Sequence, residues 1–446
     1  MTIAARLRSY GSSSTARIIG LDVARGVAVL GMYGAHLGIT DAFDWAQPLT
    51  WLDLVHGRSS ILFATLAGVS IAIISGRMAP PTGVPLLQVR VRILVRAALI
   101  FAIGGVLEYL GTPIAVILPM YAVLFVLSLP FLRWRPRRLF IAAGLTALVS
   151  PVLLLLQPGN FSAESTLGGG AFADLLFFGT YPGITWMAFV FAGLAIGRLD
   201  LASLRIQLCL LVVGVVLAAI AYTIGGLGSM AINGDGGGSS SFPRSSSSSS
   251  YEEPSTLPGS KLDFTDTTCD DYGDGTYYCY PDGYLEKEFP EKEKPDPGAD
   301  PDDWTSFDLR SLVSIEAHSG TPFEVIGSGG FAMGVIALAL LASRRRVIRW
   351  VLYPVASVGA MALTAYSAHV VVIYALGEQA WQGVDNWLYL WFVLGALLFC
   401  TAWTTLLGRG PLERLLTWVS RRTASLVPRP ETPPIDTPEL SETRHD

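Results

Sequence analysis

The sequence predicts an all-α polytopic membrane protein of about ten transmembrane helices, with both termini cytoplasmic and one large extracytoplasmic insertion. Three observations carry this. The chain of 446 residues is 51% hydrophobic and 15% charged, with mean hydropathy +0.47, too apolar for a soluble globule of that length. Apolar runs recur at about 18–39, 59–76, 93–111, 113–132, 138–156, 181–197, 206–226, 322–342, 351–375 and 387–407, each near the roughly 20 residues that cross a bilayer. Finally, 22 of the 31 Lys and Arg residues lie in segments 1–17, 77–96, 133–138, 198–205, 343–349 and 409–430, while the alternate short segments hold Arg58 alone. Short basic loops stay on the cytoplasmic side, so six agreeing segments set the sidedness, and an even number of spans returns both ends inside.

Taken in order, residues 1–17 form a cytoplasmic N-terminus. Arg6, Arg8 and Arg17 before the first run resemble a signal region, but Asp22 and Arg25 inside the run, and the lack of a small-residue cleavage site after it, predict retention. Residues 18–225 carry helices 1 to 7. Residues 226–320 are the insertion: a Gly/Ser tract followed by an acidic, Pro-rich stretch in which 251–308 holds 17 Asp and Glu against 4 Lys. That composition cannot bury enough apolar surface to fold compactly. Cys269 and Cys279 lie ten residues apart on the oxidising side and predict a disulfide-closed hairpin. The acids between them do not make a calcium loop, because Tyr272 stands at the third ligand position and Pro281 where a bidentate Glu belongs. Residues 321–408 carry helices 8 to 10, with 409–446 as a cytoplasmic tail. Cys209 and Cys400 fall inside spans and read as buried small hydrophobes.

The first span is the unusual one. It holds Asp22, Arg25 and His36, and charge at membrane depth costs about 3 kcal/mol per residue unless it faces protein or water. Arg25 and His36 are eleven residues apart, which puts them on one helix face and about 16 Å apart along the axis. Asp22 and Arg25, at i and i+3, can pair. A structural ion pair and an interfacial His is the plainer reading. Against it, His36, His56, His318 and His369, four of the five histidines, collect at the outer membrane surface, with Arg58 and Glu324 beside them in the sequence. A guanidinium near the cytoplasmic end binds phosphate through its planar fork, and an imidazole at the outer end can take a proton from an attacking hydroxyl. No Walker loop, HExxH, GxSxG or Cys/His metal spacing occurs, so no metal is expected; the glycines at 167–170 and 327–330 read as loop and helix-packing positions.

The run GLDVARGVAVLGM, followed by HGRSSILFATLAGVSIAI, resembles the opening of the heparan-α-glucosaminide N-acetyltransferase catalytic family, with its Asp-x-x-Arg-Gly helix. Arg25-x10-His36 is similar to the Arg-x10-His signature of the acyltransferase-3 family, and both belong to the transmembrane acyltransferase superfamily. Segments 179–201 and 318–330 resemble actinobacterial members; 226–316 lies outside the resemblance. The resemblance implies acyl transfer from cytoplasmic acyl-CoA, acetyl-CoA foremost, to an envelope glycan or glycolipid outside, by a multi-pass protein of the cytoplasmic membrane. It implies Arg25, oriented by Asp22, at the donor phosphate, and His36 as the catalytic imidazole. The heparan-type pattern instead carries Asn where His36 stands and its catalytic His in the following loop, where the one His of this chain is His56, nearer span 2 than in that pattern. Either or both then do the proton work, and Arg58, His318, Glu324 and His369 form an acceptor rim. Membrane lipid is the expected surroundings, nucleic acid is not a partner, and a homo-oligomer is left open. The rival classes are a transporter or flippase for a lipid-linked glycan or small anion, in which the polar stripe is a path, and a scaffold for envelope biosynthesis.

Overall fold

The computed structural model describes residues 18–40, 43, 45–155, 182–233, 267–271, 277–281, 312–377 and 386–427. The N-terminal segment, the glycines at 167–170, most of the insertion and the tail beyond 427 lie outside the described residues. The helices in order are α1 (Ile19–Leu37), α2 (Arg58–Ile74), α3 (Gly83–Tyr109), α4 (Leu118–Leu127), α5 (Pro136–Leu155), α6 (Gly183–Gly197), α7 (Leu204–Asn233), α8 (Pro322–Ala342), α9 (Arg346–Val351), α10 (Tyr353–Ala360), α11 (Ala362–Leu376), α12 (Asn386–Leu406) and α13 (Pro411–Ser425). A 3-10 turn at Pro48–Leu54 precedes α2.

Every apolar run of the sequence falls on a helix. Among the described residues, five helices, namely α2 with the turn before it, α5, α7, α8 and α12, are long and apolar enough to cross a membrane, and α10 with α11 makes a sixth if the bent pair is one span. α1 and α3 are long but carry Asp22 and Arg25, or Arg90, Arg92, Arg96 and Glu108, while α4 and α6 are short. The run at 351–375, read as one span, is two helices meeting at 84°.

α1 is the hub of the bundle. It packs against α2, α8, α10, α11 and α12, and most of its residues are buried, Asp22 among them. Close packing explains its glycines: a Cβ on Gly26 would overlap the Val355 carbonyl of α10, and one on Gly359 of α10 would overlap the Asp22 carbonyl. Between helices in lipid, small residues permit this backbone approach, and dispersion then holds the pair. α2 and α6 meet in the same way through Gly68 and Gly193. By contrast α5, α7 and α12 expose Ile141, Leu145, Val212, Val216 and Leu398. So much exposed apolar surface suits helices that face acyl chains. Cys400 is buried as expected, but Cys209 is exposed on α7, because a lipid-facing position and a core position look alike in composition.

The basic segments near residues 77, 133, 198 and 344 meet. Arg198, in the turn after α6, donates to the Arg77 and Leu132 carbonyls and to Ser75 Oγ, and Arg344 donates to the Ala202 carbonyl. At the start of the insertion, α7 runs on to Asn233, and Ser229 Oγ donates to the Val313 carbonyl, so residues near 313 belong with the bundle. Residues 233–308 form a separate compact unit. Its described part is an antiparallel hairpin, β1 (Thr267–Asp271) and β2 (Tyr277–Pro281), whose register sets Cys269 opposite Cys279. The sulfur atoms lie outside the described part of the structure.

Candidate active site

Two helices carry the same short pattern. α1 has Tyr33-Gly-Ala-His36 and α11 has Tyr366-Ser-Ala-His369, so on each helix Tyr and His lie one turn apart on one face. The two faces meet. Tyr33 Oη donates to the Ala365 carbonyl at 2.9 Å, and its ring stacks on His369 with centroids 4.6 Å apart. His36 Nδ1 lies 3.0 Å from His369 Nε2, with the rings tilted by only 8°. His369 Nδ1 in turn meets the Tyr366 carbonyl oxygen.

These contacts determine the tautomers of the neutral pair. A carbonyl can only accept, so His369 carries its proton on Nδ1 and presents a lone pair at Nε2. His36 must then donate from Nδ1, which leaves its Nε2 as the unprotonated, basic nitrogen. His369 is buried at 2% exposure, whereas His36 is half-buried. A backbone carbonyl thus orients one imidazole, which orients a second, the arrangement by which a general base is held in one tautomer.

The other residues singled out in the sequence form a different cluster. Arg58, first in α2, donates from Nε to Tyr222 Oη at 2.9 Å and from Nη1 to the Asp53 carbonyl at 3.1 Å, while its guanidinium lies over the Tyr222 ring. Tyr222 Oη bonds Ser328 Oγ at 2.8 Å, and Ser328 reaches Glu324 Oε1 at 3.4 Å. Glu324 is placed by the start of α8, where Thr321 Oγ1 caps its backbone N–H. His318 stands just before, with a positive φ of 65° that a non-glycine residue rarely adopts. Its ring is parallel to Trp186 and edge-on to His56, with centroids 6.5 and 6.1 Å away. Burial, with His56 adding to it, pushes the His318 imidazole down to about 4. His56 Nδ1 lies 4.0 Å from Asp53. His56, Arg58, His318 and Glu324 therefore assemble from two chain segments, with Tyr222 of α7 between them, whereas His369, read from the sequence with them, stands against His36.

Arg25 donates to Asp22 Oδ1 at 3.0 Å and to Ser70 Oγ at 2.9 Å, with its side chain 21% exposed. It faces α2, while His36, further along the same flank, faces α11. Reasoning from the sequence missed Tyr33, Tyr222, Ser328 and Tyr366; the repeated Tyr-x-x-His was the available signal for two of them. Among the described residues, no group of three or more His, Cys, Asp or Glu could hold a metal ion.

Residues 17–225 match the family model described as heparan-alpha-glucosaminide N-acetyltransferase, catalytic, and residues 306–423 match one described as protein of unknown function (DUF418). His36 falls in the first and His369 in the second, so the imidazole pair joins the two matched regions. Neither the curated proteins nor the solved structures contain a match to the chain. Residues 17–225, with their Asp22–Arg25 pair, are thus similar to the catalytic part of the heparan-α-glucosaminide N-acetyltransferase family.

Proposed function

We propose that the protein transfers an acyl group, acetyl foremost, from acyl-CoA on the arginine-rich side of the cytoplasmic membrane to a hydroxyl or amine of an envelope glycan or glycolipid on the other side. The observation that carries this reading is the imidazole pair, which holds His36 Nε2 as a base within an apolar bundle. His36 Nε2 takes the proton of the acceptor hydroxyl as its oxygen attacks the thioester carbonyl; the C–S bond breaks, and the imidazolium returns the proton to the departing thiolate. An acyl-His36 intermediate is the other route, and trapping of labelled acetyl on the protein separates the two. His56 is the second proton-transfer group. Arg25, oriented by Asp22, meets a donor phosphate, and Arg58, His318 and Glu324 receive the acceptor.

The reading takes all ten apolar runs as crossings, both termini on the arginine-rich side, and Cys269 bonded to Cys279 beyond the opposite face. The bend between α10 and α11 favours a second reading, transport, because broken helices line many substrate paths. Glu413 already occupies the first amides of α11, however, leaving that end no vacancy for an anionic cargo. Replacing His36 by Ala tests the proposal. Acyl transfer from acetyl-CoA should vanish in a variant that keeps its melting temperature, and full activity would defeat the assignment.

A further inference from the structure

α13 lies against α3 through Leu416, Ser420 and Ala424, a buried stripe of period four, and Arg96 of α3 reaches Ser420 Oγ and Thr417 Oγ1 at 3.4 and 3.5 Å. Its other side opens into a groove of about 550 Å³ lined by Arg409, Arg414, Trp418, Arg421 and Arg422, together with Thr417 and Ser425. The charges of Arg92, Arg409 and Arg421 also act on Arg96. Among the described residues, no carboxylate lines this groove. Glu413, the one acid of α13, is turned elsewhere: Oε1 accepts from the Leu363 and Thr364 amides at 2.9 and 3.0 Å, and Oε2 from Thr364 Oγ1 at 2.6 Å. Guanidinium groups crowded together repel one another, and an anion of high charge density relieves that repulsion.

Position and chemistry narrow the anion. Glu413 ties α13 to the first turn of α11, and His369 stands seven residues past Ala362, about 10 Å further along that helix. α13, which carries the groove, is thus joined to the helix that carries His369. Trp418 is 66% exposed among the arginines and offers a face on which a heteroaromatic ring can stack. A lipid headgroup would satisfy the charge and leave that face unused, whereas a purine nucleotide with several phosphates uses both.

We propose that this groove binds the phosphorylated purine nucleotide end of the acyl-CoA donor, with the thioester arm running along α11 toward His36. The proposal rests on the donor reading above and adds a site to it. The test is titration of the full chain in nanodiscs with CoA, with dephospho-CoA and across discs of phosphatidylcholine or phosphatidylglycerol. The variants are Arg421→Gln/Arg422→Gln and Trp418→Ala, all at exposed positions. Loss of charge-assisted bonds predicts a Kd for CoA raised about tenfold or more by the paired arginine change. The preference for CoA over dephospho-CoA should shrink with it, and Trp418→Ala should weaken both ligands alike. Unchanged CoA affinity in the variants, with tight binding by the parent, overturns the groove and leaves the donor reading standing. No CoA binding by the parent overturns both. Variants that lose only a preference for phosphatidylglycerol assign the groove to a lipid headgroup and overturn the proposal.

Discussion

Replacing His369 by Phe isolates the orienting role of the second imidazole. Phe keeps a ring beside Tyr33, so most of the stacking at 4.6 Å survives, but it offers nothing to the His36 Nδ1 proton at 3.0 Å. Leaving a buried donor unsatisfied costs about 1–3 kcal/mol, and His36 then regains the tautomer and rotation that the bond suppressed. If that loss is felt when His36 accepts the proton, kcat falls about 5- to 150-fold while the KM for acetyl-CoA holds. Steady-state release of the CoA thiol, with glucosamine as acceptor and the variant's melting temperature as control, measures this. His369→Gln, whose side-chain carbonyl can accept, should recover part of the rate. A folded His369→Phe protein with unchanged kcat, or one altered in KM alone, would refute the relay.

Other expectations are structural. The unfolded His318 imidazole takes up a proton near 6.5 and the folded one only near about 4, so between those values the unfolded state binds more protons. Stability should therefore be flat above pH 6.5 and fall as pH drops toward 4, by up to about 3 kcal/mol, and His318→Phe should flatten that slope in thermal melts. Glu413→Gln removes charge from a carboxylate that accepts from two amides and a hydroxyl; a loss of about 1–3 kcal/mol is expected, read as a lower melting temperature. Gly26→Val places methyls against the Val355 carbonyl and should cost about 1–3 kcal/mol or more, whereas Gly105→Ala on α3, where a Cβ meets open space, should be silent in the same assay.

What the sequence made legible follows from which physics is local. Apolarity is additive along the chain, so all ten runs could be read and all fall on helices. The break at Met361 could not, because both halves are apolar; beside it Gly359 packs on α1 and Glu413 accepts from the Thr364 amide, contacts between distant segments. His56, Arg58, His318 and Glu324 lie just before apolar runs or at their start, on the same side by the arginine pattern, which let the sequence group them. Pairing His369 with His36 needed the rotation of two helices about their axes, and that is decided by tertiary contacts such as the bond from Tyr33 to Ala365. The exposure of Cys209 escaped for a related reason, since hydropathy measures distance from water and does not separate lipid from protein.

The central claim is that His36 opens a thioester delivered from the arginine-rich side for an acceptor on the other. Proteoliposomes with labelled acetyl-CoA confined to that side and glucosamine to the opposite side test it directly. The account predicts labelled acetyl on the glucosamine, lost in His36→Asn. Equal labelling by that variant, or none with the parent protein, would contradict it.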